Sequence, residues 1–69
     1  MKKEVLQKGL KCKLTKMVTD HEGAVYKDDI VRVVDWTEVG EKSEESVVVF
    51  ILDDIGKHHT VPLACLKEL

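Results

Sequence analysis

The clearest pattern along the chain is an alternation of apolar and lysine residues over positions 10–14. Leu10, Cys12 and Leu14 fall on one side of an extended backbone, and Lys11 and Lys13 fall on the other side. Strict alternation of this kind is typical of a strand that is buried on one face and solvated on the other. The sequence therefore predicts a first, half-buried strand at this place.

Two further apolar runs are dense in β-branched residues. The run at 30–36 (IVRVVDW) predicts a second strand, and the run at 47–52 (VVVFIL) predicts a third strand that is apolar on both faces. The polar stretch 19–23 lies before them, contains a glycine and predicts a turn. The acidic stretch 38–46 has too little apolar area to order itself, which predicts a mobile hairpin loop.

The C-terminal part of the chain predicts two more strands. Residues 53–57 (DDIGK) favour a short reverse connection in which Gly56 adopts a positive φ. Residues 58–61 (HHTV) then form a fourth strand that ends at Pro62, because proline has no N–H for the ladder. Residues 63–66 have room for one helical turn, and residues 67–69 for a short last strand. Since no 3.6-residue period is sustained anywhere, we expect an all-β domain of five short strands.

The order of these elements resembles the SH3-like barrel superfamily. Residues 26–33 (YKDDIVRV) are similar to the aromatic–polar–Gly/Asp–aliphatic segment that begins the second strand of that family. Residues 59–69 (HTVPLACLKEL) are similar to its fourth strand, proline, one-turn 3-10 helix and final strand. The resemblance covers residues 8–69. It implies a small five-stranded SH3-like barrel with one 3-10 turn before the last strand, preceded by an N-terminal segment, residues 1–7, that is free to be flexible.

The chain departs from the SH3 domains that bind proline-rich peptides. Those domains carry a segment like Ala-Leu-Tyr-Asp-Tyr on the first strand and a tryptophan at the start of the third strand. This chain has LKCKL at 10–14 and SVV at 46–48 in the corresponding places. Because a polyproline helix docks against aromatic ridges, we do not expect proline-motif binding.

Length and charge narrow the range of functions. The 69 residues form one small domain, and the net charge of −2 is unevenly distributed. Residues 1–16 carry six lysines and one glutamate, a net charge of +5, while residues 17–69 carry a net charge of −7. Such asymmetry can steer a charged partner. No stretch approaches the roughly 18–20 apolar residues that span a bilayer, and no apolar segment follows the first lysines. We therefore expect a cytoplasmic protein that does not bind membranes.

The candidate reactive side chains do not form a recognisable site. Zinc sites commonly contain paired cysteines or histidines at short spacing, which the chain lacks. His58 and His59 are adjacent, so they point to opposite faces of a strand. Cys12 is predicted to face inward, where a thiol is usually inert, and Cys65 has no pocket-forming loops around it. We therefore expect free thiols, no metal, no cofactor and no catalytic site.

The second apolar face of the third strand is the feature that points to a function. If Val47, Val49 and Ile51 face the core, then Val48, Phe50 and Leu52 face outward. An exposed apolar cluster in so small a protein is typical of a partner surface. Together with residues of the neighbouring second strand, the predicted partner-binding set is Val34, Trp36, Val48, Phe50 and Leu52. The partner is then another protein or a second copy of the chain. The alternative is that Val5 and Leu6, or the 38–46 loop, fold over this face and cover it.

A different hypothesis is a nucleic-acid-associated domain, because SH3-like barrels of the KOW and Tudor types occur in transcription, translation and chromatin proteins. Lysines on or beside the first strand would then contact phosphates, in a steeply salt-dependent way. These residues are Lys8, Lys11, Lys13 and Lys16. The acidic isoelectric point and the lack of aromatic residues among these lysines argue against it.

Overall fold

The computed structural model describes residues 1–21, 23–40 and 47–69 of the chain. They form seven strands: β1 (Lys11–Leu14), β2 (Val18–Asp20), β3 (Gly23–Val25), β4 (Ile30–Glu38), β5 (Val47–Leu52), β6 (His58–Pro62) and β7 (Leu66–Glu68). Short 3-10 turns lie at Lys3–Val5 and Leu63–Cys65. The all-β class and the 3-10 turn before the last strand are therefore confirmed.

Five of the strands form one antiparallel sheet, in the order β6-β5-β4-β1-β7. These are the five strands that the sequence predicts. The other two strands, β2 and β3, pair with each other in a separate hairpin.

The turn between β2 and β3 is shorter than the predicted turn over 19–23. Thr19 pairs with Ala24, and Asp20 pairs with Gly23, so most of that polar stretch belongs to strands. Polar residues with low strand propensity are accommodated here because the pairing of the hairpin supplies their backbone hydrogen bonds. Residue 22 lies outside the described residues. The same holds for residues 41–46 of the predicted 38–46 loop, while Glu38 ends β4.

The core lies on one face of the five-stranded sheet, which we call the core face; the opposite face is the outer face. Every second residue of β1, of β5 and of β4 as far as Val33 points to the core face and is buried. Val25 of the hairpin and Leu63 and Cys65 of the 3-10 turn close this core. The core is therefore formed by apolar side chains that alternate along the strands with outward-facing residues.

The N-terminal segment, residues 1–7, packs against the same core. Leu6 is buried among the core residues, and the amine of Met1 donates a hydrogen bond to the carbonyl of Leu66 at 3.0 Å. Lys3 forms an ion pair with Glu38 at the end of β4. Leu6 is therefore part of the core, which contradicts the alternative that Leu6 covers the outer face.

Candidate binding surface

β5 is an interior strand with two different faces. Val47, Val49 and Ile51 are fully buried on the core face. Val48, Phe50 and Leu52 alternate with them and lie on the outer face, and we call these three residues the apolar stripe. Val48 and Leu52 are half-buried, whereas the side chain of Phe50 is 38% exposed. The stripe is therefore a surface feature, as the alternation predicts.

A β-bulge in β4 decides which of its residues lie beside the stripe. Val33 pairs with Ile51 and Asp35 pairs with Phe50, so Val34 is an extra residue in β4. A bulge places two residues of one strand opposite one residue of its partner. Val34 and Asp35 thus lie together opposite Phe50, and Val34 is 37% exposed. Its predicted place on the outer face agrees with this geometry.

The prediction that Trp36 lies on the outer face is wrong. Trp36 pairs with Val49, which is fully buried, and directly paired residues share a face of the sheet. The indole is partly buried and packs against the core. Alternation counted from Val31 places Trp36 outward, but the extra residue Val34 shifts the count by one. The bulge therefore removes Trp36 from the candidate surface.

In the described part of the chain, the six residues paired with the apolar stripe do not cover it, and residues 41–46 of the 38–46 loop lie outside that part. Val48 lies between Thr37 and Pro62, Phe50 lies between Asp35 and Thr60, and Leu52 lies between Arg32 and His58. All six flanking residues are exposed. The stripe is thus a central apolar line bordered by polar side chains and one proline, an arrangement like that of a small interface with a polar rim.

Basic residues form a second region of the outer face, beside the apolar stripe. Lys11 and Lys13 project from β1 on the side opposite Cys12 and Leu14. The sheet places Arg32 of β4 directly opposite Lys11, and Lys67 of β7 directly opposite Lys13. We call these four residues, Lys11, Lys13, Arg32 and Lys67, the basic corner. Of the four lysines predicted for a nucleic-acid site, Lys8 and Lys16 lie outside β1, in the turns on either side of it.

Sequence reasoning missed Arg32 and Lys67. They are separated from β1 by many residues, and only the pairing of β1 with both β4 and β7 brings them to the lysines. The alternation within β4 and β7 could have indicated that both point outward. It could not have indicated which strand lies next to β1.

A groove of about 310 Å³ joins the basic corner to the apolar stripe. Its outward-facing lining residues are Lys11, Ile30, Arg32, Leu52, Asp53 and Asp54. Because Arg32 pairs directly with Leu52, a charged side chain and an apolar one lie side by side in the lining of this groove. The carboxylates of Asp53 and Asp54 also line it.

A wider depression of about 600 Å³ lies on the other side of the stripe. Phe50 lines it together with two exposed imidazoles, His21 and His58, and with Thr60. The carboxylate of Asp20 accepts a hydrogen bond from the Thr60 N–H at 3.0 Å, which satisfies a backbone donor on β6, the edge strand. Phe50 is therefore accessible from the β6 side of the stripe.

His59 is buried below this depression and is held between two carboxylates. Its Nε2 lies 3.0 Å from an oxygen of Asp53, and its Nδ1 lies 3.4 Å from an oxygen of Asp20. The side chain of His59 is 1% exposed. Ionised carboxylates only accept hydrogen bonds, so both contacts are hydrogen bonds when both ring nitrogens carry a proton. His58, in contrast, is exposed, so the expected division of the two histidines between opposite faces is confirmed.

The carboxylate of Asp53 accepts hydrogen bonds from two backbone N–H groups, those of Ile55 at 3.1 Å and Lys57 at 2.8 Å. Burial acts to raise the pKa of its carboxyl group, but hydrogen bonds from the N–H of Lys57, from His59 and from the N–H of Ile55 outweigh burial. The pKa of Asp53 is therefore lowered from its usual value of 3.8. Through the imidazole of His59, the cluster connects Asp53 at the β5–β6 turn to Asp20 of the β2–β3 hairpin and so holds these two segments together.

Both cysteines are free and buried. Burial raises the pKa of the Cys12 thiol to about 11, while the charge of the N-terminal amine acts weakly in the opposite direction. A thiol held in its neutral form is a poor nucleophile and a poor metal ligand. Within residues 1–21, 23–40 and 47–69, no three His, Cys, Asp or Glu side chains are grouped as metal ligands would be.

No helix in the described part of the chain is long and apolar enough to cross a membrane. Comparison of the chain with protein-family models, with curated proteins and with solved structures gives no match.

Proposed function

We propose that the chain is an SH3-like barrel that acts as a non-enzymatic protein-interaction module, and that it binds its partner through the outer face of β4 and β5. The strand order β6-β5-β4-β1-β7 and the 3-10 turn directly before β7 support the proposed fold. The β2–β3 hairpin, which lies in the connection between β1 and β4, supports it as well.

The exposure of Phe50 carries the functional part of the proposal. Phe50 is the large apolar residue at the centre of the apolar stripe, and its ring is open to solvent on a strand whose other face is fully buried. Val34 extends the same apolar surface at the bulge. Aromatic residues at the centre of an interface contribute about 2 kcal/mol or more to binding, or about thirtyfold in Kd. Val34, Val48, Phe50 and Leu52 therefore form the proposed contact set, without Trp36.

Selection of peptides from a random display library against the folded protein tests this proposal. Binding of the selected peptides, measured by fluorescence anisotropy, should weaken about thirtyfold or more in Phe50→Glu. The matched control is Ile55→Glu, because Ile55 is also an exposed apolar residue but lies in the β5–β6 turn. Far-ultraviolet circular dichroism confirms that both variants are folded. If Phe50→Glu binds the peptides as tightly as Ile55→Glu does, the proposed surface is wrong.

Sedimentation equilibrium of the same proteins tests whether the partner is a second copy. Self-association through the apolar stripe should appear as a concentration-dependent dimer in the unchanged protein and in Ile55→Glu, and it should be absent in Phe50→Glu. A protein that is monomeric throughout has a different protein as its partner, and the peptide experiment then decides the proposal.

A further inference from the structure

We infer that the outer face binds a polypeptide segment that carries carboxylates next to apolar side chains. The basic corner holds the carboxylates, and the apolar stripe receives the apolar side chains. This inference rests on the proposed function, because it names the chemistry of the partner of that same surface.

The basic corner contains two pairs of like charges in direct opposition. Lys13 lies opposite Lys67 and Lys11 lies opposite Arg32, each pair on adjacent strands and on the same face of the sheet. Like charges placed directly opposite each other repel and destabilise a sheet. A bound anion reverses this effect because it interacts favourably with both members of each pair. The free protein therefore has a surface whose electrostatic energy improves when carboxylates bind.

These four cations have no internal partner among the residues that the structure describes. The ion pairs found there join Lys3 to Glu38 and His59 to two aspartates, and none involves the basic corner. Lys11, Arg32 and Lys67 are exposed, and Lys13 is half-buried. Arg32 adds a planar guanidinium that can bind a carboxylate through two hydrogen bonds.

The distance between the basic corner and the apolar stripe determines the distance expected between the carboxylates and the apolar side chains of the partner. The basic corner spans β7, β1 and β4, and the apolar stripe lies on the next strand, β5. Three strand spacings, roughly 14 Å, separate β7 from β5 across the sheet, and the register places Phe50 about four residues further along the strands than Lys67. The diagonal from Lys67 to Phe50 is therefore roughly 19 Å, which an extended peptide covers with about six residues. Carboxylates should therefore occur about two to six residues from the apolar side chain that contacts Phe50.

The borders of the basic corner favour a short acidic polypeptide over a nucleic acid. Asp53 and Asp54 line the same groove as Lys11 and Arg32, and Asp35 lies beside Phe50. A nucleic acid carries a phosphate at every nucleotide and would meet these carboxylates as soon as it left the corner. A segment with a few carboxylates followed by apolar side chains matches both the basic corner and the apolar stripe.

Two synthetic peptide arrays test the inference. Both share the same extended apolar core of leucine, isoleucine and phenylalanine, flanked by Asp and Glu in one array and by Asn and Gln in the other. At about 50 mM salt, the acidic array should bind about tenfold more tightly or better, and the difference should shrink at about 500 mM. Lys13→Glu/Arg32→Glu should abolish the preference, whereas Phe50→Glu should abolish the binding of both arrays.

Lys2→Glu/Lys16→Glu has the same change in charge outside the basic corner and should keep the preference. If both arrays bind equally and both lose binding in Phe50→Glu, the inference is wrong and the proposed function stands. If neither array binds, the inference is wrong, and the random-library and sedimentation experiments decide the proposed function separately. If random single strands or duplexes of about 20 nucleotides bind instead, and Lys13→Glu/Arg32→Glu removes that binding, the basic corner is a nucleic-acid site.

Discussion

Trp36 lies directly opposite Val49 in the β4–β5 ladder, so its indole shares a face with a fully buried side chain and is turned away from Phe50. Two aromatic residues on adjacent strands thus have different roles. Trp36 packs against the core, and Phe50 belongs to the outer face.

Substitution of these two aromatic residues should therefore have different consequences. Trp36→Ala should lower the free energy of unfolding by about 2 kcal/mol, because it removes a large, partly buried side chain from the core. Phe50→Ala should lower it by less than about 1 kcal/mol. Urea unfolding followed by far-ultraviolet circular dichroism measures both values. Equal losses in the two variants would contradict the placement of Trp36.

The buried imidazole of His59 should be required for stability. His59→Ala leaves the carboxylates of Asp20 and Asp53 close together without the imidazole between them, and it removes a side chain that is 1% exposed. We expect the free energy of unfolding to fall by about 3 kcal/mol. His58→Ala is the matched control, since its neighbouring imidazole is exposed, and it should change stability by about 0.5 kcal/mol or less. Urea titration of the two variants gives the comparison.

Acid should destabilise the fold through Asp53. Its pKa is lower in the folded state than the usual 3.8, so folding favours the ionised carboxylate. The stabilisation that ionised Asp53 gives to the folded state is fully present above the pKa of the unfolded state. It is lost as the pH falls through the lower pKa of the folded state. The melting temperature should therefore decline below about pH 4. Asp53→Asn should weaken that decline, whereas Asp54→Asn, at an exposed neighbouring position, should retain it. An unchanged pH profile in Asp53→Asn would contradict this role.

The Cys12 thiol should be unreactive in the folded protein. With a pKa of about 11, only about one molecule in a thousand carries the thiolate at pH 8, and the sulfur is also buried. Cys65 is protected by burial. Ellman's reagent should therefore label neither cysteine in the native state and both in concentrated guanidinium chloride. Rapid labelling of one thiol in the native protein would show that the core opens locally around it.

Charge reversal within the basic corner should stabilise the protein. Lys67→Glu replaces the repulsion with Lys13 by an attraction across the β1–β7 pair. We expect a gain of about 0.5 kcal/mol in the free energy of unfolding, which should decrease as the salt concentration rises. Lys16→Glu, outside the strands, serves as the control. If Lys67→Glu gains no more than this control, the two side chains do not repel each other measurably.

Local patterns determined the five strands of the main sheet and the direction of most of their side chains, but not the β2–β3 hairpin. Residues 10–14 and 47–52 alternate because an extended backbone turns successive side chains to opposite faces, whatever the partner strand is. The two-faced apolar character of β5, and the outward position of Lys11 and Lys13, could therefore be predicted without a structure. So could the 3-10 turn after Pro62, since proline ends the strand before it.

Only the tertiary structure decided what depends on pairing between distant segments. The bulge at Val34 arises from the register of β4 against β5, and it reverses the direction of Trp36. His59 meets Asp20 and Asp53 because the hairpin and the β5–β6 turn both approach β6. Lys13 meets Lys67 because β7 returns to the edge of β1. A sequence pattern describes one strand at a time, whereas register and strand order are set by the burial and hydrogen bonding of the whole sheet.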